Sequence, residues 1–161
     1  MKVPILDTKR QYASIGKEVE EKVIEVMRSG SYILGQNNRA LEEDFAKYCD
    51  CKYGIALNSG TDALHLALRA LDIKDGDEVI TVAFTFVATT EAIGIVNAKP
   101  VFVDIDPVTF NIDENKIENA ITDRTSAIMP VHVYGNPCNN DKIREIAKKY
   151  NLKVIYDAAH A

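Results

Sequence analysis

The sequence lacks tryptophan, has few cysteines, and contains no apolar run long enough to cross a bilayer. Its three cysteines, Cys49, Cys51 and Cys138, form an odd set without the spacing of a zinc ribbon or a disulfide framework. We therefore expect buried or partly buried free thiols and no metal site. The N-terminal apolar run is too short for a signal peptide, so we expect a cytoplasmic protein without a membrane partner.

The sequence also has no cluster of basic residues. The net charge is −5, and lysine and arginine are scattered along the chain, which argues against nucleic acid and anionic membranes as partners. An anionic small molecule would have to be bound by a local site. With 161 residues, of which 47% are hydrophobic and 27% charged, the composition is typical of one globular domain.

Hydrophobic periodicity divides the chain into a helical segment, residues 1–50, and an alternating segment, residues 51–161. Ile15, Val19 and Val23 recur at helical spacing before Gly30, and Leu41 and its neighbours indicate a second helix. Further along, the patterns predict strands at residues 54–57, 79–82, 100–103, 127–133 and 153–156, and helices at residues 62–71, 87–96, 114–121 and 141–150.

Alternation of strands and helices predicts an α/β fold, with a mostly parallel sheet covered by helices on both faces. In such sheets ligands bind at the carboxyl ends of the strands. Three segments fall at those predicted ends: residues 58–61, residues 84–86 and Asp157. These segments are the candidate site.

The Ser59, Gly60 and Thr61 segment lies where a predicted strand meets a helix. Backbone amides at a helix start bind phosphate, and glycine permits close approach, so this segment is a candidate phosphate site. Ordinary helix capping by serine or threonine is the alternative interpretation. Asp62 suits the first helical turn, but its carboxylate would repel a phosphate unless it points away.

Four other side chains are more suggestive together than any one of them is alone. Phe84 or Phe86 could stack on a planar ligand or pack in the core, and Asp157 could contact a ligand or form a cap or ion pair. His160 could donate a hydrogen bond to a phenolate oxygen or cap a turn. An NAD-binding role is disfavoured because the glycine fingerprint is absent after the first predicted strand.

Ordered sequence blocks resemble the DegT/StrS-type sugar aminotransferases. These are pyridoxal phosphate enzymes of the aspartate aminotransferase-like (type I) fold that act on nucleotide-linked keto sugars. The blocks run along nearly the whole chain: VPILD at 3–7, SGSYILG at 29–35, NSGTDALHLAL at 58–68, FTFVAT at 84–89, PVFVDID at 100–106, PVHVYG at 130–135 and DAAHA at 157–161. The resemblance implies the N-terminal half of such a chain, an incomplete large domain over residues 1–161.

The resemblance also assigns roles to individual residues. Gly60, Thr61 and the Asp62 amide would bind the phosphate of pyridoxal or pyridoxamine phosphate, Phe86 would stack on the pyridine ring, Asp157 would pair with its nitrogen, and His160 would lie against its hydroxyl. Tyr32 and Gly35 would lie near the substrate, in the active site of a partner subunit. His65 and His132 match family positions too, but packed or hydrogen-bonded histidines are the simpler interpretation.

The implied reaction has two stages. An amino donor, usually glutamate, converts the cofactor to its pyridoxamine form, which then aminates a ketone carbon of the nucleotide sugar. A lysine that follows the aspartate in the family forms a Schiff base and moves protons. No lysine follows Asp157 here, so we expect an inactive fragment of an enzyme that is a homodimer when intact.

Two other functions remain open. Some relatives in the family carry histidine in place of the lysine and dehydrate the sugar. A non-catalytic binding or interaction module would keep the α/β framework without turnover, and failure to bind pyridoxal or pyridoxamine phosphate would favour it.

Overall fold

The computed structural model describes residues 4–161, so Val3 of the block at 3–7 lies outside the described residues. The chain divides into two compact units, the first ending at Ala56 and the second spanning Leu57–Ala161. The prediction that residues 1–161 form part of one larger domain, divided after residue 50, stays a prediction. Within residues 4–161, no helix has both the length and the apolar character of a membrane span.

The first unit contains two helices, α1 (Thr8–Ser29) and α2 (Gln36–Tyr48). Helix α1 begins where the Asp7 side chain accepts a hydrogen bond from the Arg10 amide at 3.1 Å. It ends at Gly30, whose φ of 67° is the left-handed conformation that glycine adopts without strain. The predicted helix and its glycine stop are therefore confirmed.

The second unit alternates helices and short strands. Its elements are α3 (Gly60–Ala70), β1 (Glu78–Val82), α4 (Ala88–Ile95), β2 (Lys99–Val103), α5 (Glu114–Ile117), β3 (Thr125–Ile128), α6 (Asn140–Tyr150) and β4 (Lys153–Val154). Two single 3-10 turns, Glu118–Ala120 and Val133–Gly135, lie between them. The predicted helix over 114–121 is thus an α-helical turn followed by a 3-10 turn.

The four strands form one sheet in the order β2-β1-β3-β4, and every neighbouring pair is parallel. Successive residues of a strand point to opposite faces. Ile80 belongs to the core cluster that contains Ile143 of α6, whereas Val79 belongs to the cluster that contains Leu68 of α3 and Ile93 of α4. Helices therefore cover both faces, as predicted.

The predicted strand at residues 54–57 is wrong. None of the four strands described pairs with this segment, and Ile55 is 78% exposed. The Ala56 amide instead donates to the Glu42 carboxylate of α2 at 3.0 Å, so a side chain satisfies a backbone group that a strand would pair. Apolar composition favours a strand, but only a neighbouring strand completes it.

Two predicted strands are shorter than expected. The strand predicted over residues 127–133 ends at Ile128, and the strand predicted over 153–156 ends at Val154. Pro130 lacks the N–H that a continuous ladder requires. Pairing resumes beyond it as an isolated parallel bridge between Val131 and Asp157.

The cysteine prediction is corrected in part. Cys138 is buried, but Cys49 and Cys51 are exposed. Both follow the end of α2, which is at Tyr48. All three are free thiols, as expected.

A buried carboxylate ties the amino ends of three strands together. Glu78, the first residue of β1, has a side chain only 2% exposed. It accepts hydrogen bonds from Thr122 Oγ1 at 2.6 Å and Arg124 Nη2 at 2.7 Å, and Lys99 of β2 lies 3.5 Å away. The hydrogen bonds from Thr122 and Arg124 lower the pKa of Glu78 to about 2.

We predict that Glu78→Gln lowers the free energy of unfolding and removes a pH-dependent part of it. Because folding lowers the pKa of Glu78 from 4.5 to about 2, its contribution is complete above pH 4.5 and is lost as the pH falls toward 2. Urea unfolding at several pH values measures this. The exposed, ion-paired Glu145→Gln is the matched control and should change stability little; equal effects of both substitutions would contradict the prediction.

Candidate functional site

A cavity of about 570 Å³ opens in the second unit at the carboxyl ends of the strands. Its walls come from the start of α3 and from the segments that follow β1, β3 and β4. The lining residues are Gly60, Thr61, Leu64, Ala83, Phe84, Thr85, Phe86, Ala88, Val131, Val133, Tyr134, Asp157, Ala159 and His160. This is the edge at which the sequence placed the candidate site.

Asp157 is the buried charge of the cavity. It is 7% exposed, and its backbone is fixed on both sides, because its amide donates to the Pro130 carbonyl at 2.9 Å and its carbonyl accepts from the His132 amide at 3.0 Å. Its carboxylate accepts from Thr89 Oγ1 at 2.7 Å and from the Ala159 amide at 3.3 Å. Resumed pairing after Pro130 thus carries a carboxylate into the cavity wall.

The start of α3 supplies backbone donors. The Ser59 hydroxyl and carbonyl accept from the amides of Asp62 and Ala63, each at 3.1 Å. The first-turn amides of Gly60 and Thr61 have no acceptor within the helix, and both residues line the cavity. The serine cap therefore leaves the Gly60 and Thr61 amides without an acceptor in the helix, and the predicted role of these amides in phosphate binding stays a prediction.

Asp62 lies beside the cavity and does not line it. Its carboxylate accepts from the Ser59 hydroxyl at 3.1 Å and so turns back onto the cap, away from the free amides. Its own amide is already bonded to the Ser59 hydroxyl. The role of that amide in phosphate binding stays a prediction, one that requires Ser59 to share or release it.

Aromatic rings occupy the segment after β1. Phe86 lines the cavity, and its side chain is 71% exposed. Phe84 also lines the cavity, but its ring packs against Phe110, with ring centroids 5.7 Å apart, and edge-on against Tyr134 at 6.3 Å. Phe86 is therefore the ring of this pair that is open to a planar ligand.

His160 also lines the cavity and is exposed. A Cβ at Gly135 would lie 3.0 Å from the His160 carbonyl, and Gly135 has a φ of 78°. Both the close approach and the backbone conformation require glycine there. The turn that follows β3 thus helps to place the segment that carries His160.

His132 is a buried, hydrogen-bonded histidine, which confirms the simpler interpretation. Its Nδ1 accepts from the Cys138 amide at 3.2 Å, and its ring stacks on Tyr156 at 5.3 Å. Burial lowers the pKa of His132, against the opposing effect of the Asp157 charge. Burial also raises the pKa of the Cys138 thiol to about 11, so this thiol is a poor nucleophile.

The cavity brings together five of the predicted site residues, which are Gly60, Thr61, Phe86, Asp157 and His160. Tyr32 and Gly35 belong to the first unit and are not among its lining residues. Sequence reasoning missed Thr85 and Thr89. Thr89 lies in the first turn of α4 and Thr85 lies three residues before that helix, so no helical spacing in the sequence indicates their contact.

The family model described as the DegT/DnrJ/EryC1/StrS aminotransferase family matches residues 13–161. A pleiotropic regulatory protein of Geobacillus stearothermophilus is 51% identical over all of this chain and 43% of its own length. UDP-2-acetamido-2-deoxy-3-oxo-D-glucuronate aminotransferase of Pseudomonas aeruginosa is 45% identical over 99% of this chain and 44% of its own length. The chain thus spans less than half the length of these relatives.

Solved structures give the same result. DesV of S. venezuelae, in complex with a ketimine intermediate, matches with a TM-score of 0.97 and 41% identity over 99% of this chain and 43% of its own. NtdA of Bacillus subtilis, with bound pyridoxamine phosphate (PMP), matches with a TM-score of 0.94 and 41% identity over 98% of this chain and 36% of its own. The chain therefore belongs to the DegT/DnrJ/EryC1/StrS aminotransferase family.

Proposed function

We propose that this chain forms the cofactor-binding part of a pyridoxal phosphate-dependent aminotransferase, which transfers an amino group from a donor such as glutamate to a nucleotide-linked keto sugar. The observation that carries the proposal is the cavity, where a buried carboxylate, an exposed aromatic ring and free helix-start amides meet. Relatives named as sugar aminotransferases support the substrate class.

The residues present fit the cofactor. The first-turn amides of Gly60 and Thr61 suit its phosphate, since a helix start carries partial positive charge. A Cβ at Gly60 would meet only Ala159, at 3.8 Å, so the protein itself leaves room there for a close ligand. Phe86 offers a ring face, and Asp157 offers a carboxylate without a cationic partner among its side-chain contacts in residues 4–161.

Pyridoxal phosphate, when bound, supplies an electron sink and carries the amino group between the two substrates. Asp157 would hold a proton on the pyridine nitrogen, since a nearby negative charge favours the protonated ring. Phe86 would orient the ring by stacking, and His160 would donate a hydrogen bond toward its hydroxyl. Residues 158–161 contain no lysine, so none of these four residues supplies the covalent and proton-shuttling role.

A homodimer is part of the proposal. Apolar side chains of α1 at four-residue spacing, Ile15, Val19, Val23 and Met27, share one helix face and are exposed. Burial of such a face against a second copy is favourable. Sedimentation equilibrium should give twice the monomer mass of 17.9 kDa, and a concentration-independent monomer would contradict this part. The cytoplasmic location inferred from the sequence stays a prediction.

We predict that Asp157→Asn weakens PMP binding by roughly 10- to 100-fold. Hydrogen bonds to charged groups contribute about 1.5–3 kcal/mol, and the neutral amide removes the charge that favours the protonated ring. Isothermal titration calorimetry of the chain measures the dissociation constant. Asp141→Asn, in the exposed first turn of α6, is the control and should bind like the wild type.

Phe86→Ala should weaken PMP binding less, by about 2- to 10-fold, because aromatic stacking contributes about 0.5–1.5 kcal/mol. Phe102→Ala, which truncates an exposed ring on β2 outside the cavity lining, is its control. Binding unchanged by both Asp157→Asn and Phe86→Ala would reject the site. No binding by the wild type would favour the non-catalytic module.

A further inference from the structure

We propose that Thr89 is a positioning residue for Asp157. Its hydroxyl is the middle of a relay, Thr85 to Thr89 to Asp157, that orients the carboxylate for the pyridine nitrogen. This inference rests on the proposed function, because it assigns the relay to the same cofactor site.

The contact between Thr89 and Asp157 joins distant parts of the chain. Thr89 lies in the first turn of α4 and is 0% exposed, and its Oγ1 is 2.7 Å from Asp157 Oδ2. Because the contact is buried, water does not compete for it. A fully buried hydroxyl requires a partner, and here the partner is the buried carboxylate of the cavity.

The hydrogen bonds of the relay have one direction. A carboxylate only accepts, so the single hydroxyl proton of Thr89 goes to Asp157. Thr85 Oγ1 lies 2.7 Å from Thr89 Oγ1, and Thr89 has no proton left, so Thr85 is the donor in that contact. Each hydroxyl thus donates toward the carboxylate.

Uncharged hydrogen-bond donors surround the Asp157 carboxylate. Among residues 4–161 the side-chain partners of Asp157 are the Thr89 hydroxyl and the Ala159 amide, both uncharged. An arginine or lysine would neutralise the carboxylate, whereas these donors fix it and leave its charge for the ligand. The Thr89 contact is the shorter of the two, 2.7 Å against 3.3 Å, so Thr89 anchors Oδ2.

One short segment carries both the relay and the stacking ring. The Thr89 amide donates to the Phe86 carbonyl at 3.2 Å, and Thr85 and Phe86 both line the cavity. The fold of residues 85–89 therefore fixes the Phe86 segment relative to the Asp157 carboxylate. Loss of the Thr89 hydroxyl would leave the carboxylate with the longer Ala159 contact alone, while the backbone bond that holds the Phe86 segment remains.

The test compares Thr89→Val, which removes the hydroxyl but keeps the shape, with Thr89→Ser, which restores it. We expect Thr89→Val to weaken PMP binding by about 3- to 10-fold and to shift deprotonation of the bound ring nitrogen to lower pH, followed by 15N NMR of labelled PMP. Thr89→Ser should recover both values. Thr90→Val is the control, because among residues 4–161 the Thr90 hydroxyl bonds to the Val87 carbonyl of its own helix turn and not to Asp157.

A second readout needs no cofactor. The 13C carboxyl resonance of Asp157, assigned by its loss in Asp157→Asn, should move in Thr89→Val and return in Thr89→Ser. If Thr89→Val fails to fold, Thr85→Val should give a smaller shift in the same sense. An unmoved resonance, or a serine variant that behaves like valine, overturns the relay. Absence of PMP binding by the wild type overturns the proposed function, and with it the assignment of the relay to a cofactor.

Discussion

Parallel pairing beyond Pro130 is the constraint on which the site depends. The bridge between Val131 and Asp157 carries the chain past a residue without an N–H and places a carboxylate in the cavity wall. Burial of that charge requires donors, which Thr89 and Ala159 supply. The other elements of the site are arranged around this fixed charge.

The topology of the parallel sheet is enough to bring the residues of the site together. Carboxyl ends of neighbouring strands lie at the same edge, so the turns after β1, β3 and β4 converge there, and α3 starts beside them. At the opposite edge Glu78 ties three strands through Thr122, Arg124 and Lys99. Glu78, which stabilises the sheet, and Asp157, the candidate functional carboxylate, thus lie at opposite ends of its strands.

Sequence reasoning predicted most helices and the parallel sheet, because the periodicities of α1, α6 and β1 are strong and local. It failed at residues 54–57, because none of the strands described in residues 4–161 pairs with this segment and the Ala56 amide bonds to Glu42, a contact that no local pattern reveals. The same limit applies to the site. The resemblance named Gly60, Phe86 and Asp157, whereas Thr89 acquires its role from a residue 68 positions away.

The measurement that tests the central claim most directly is a crystal structure of the chain with PMP. The account predicts the phosphate at the Gly60 and Thr61 amides, the ring on Phe86, and the pyridine nitrogen within hydrogen-bonding distance of Asp157. A ring bound elsewhere, or a nitrogen facing away from Asp157, would contradict the claim that this carboxylate is the centre of the site.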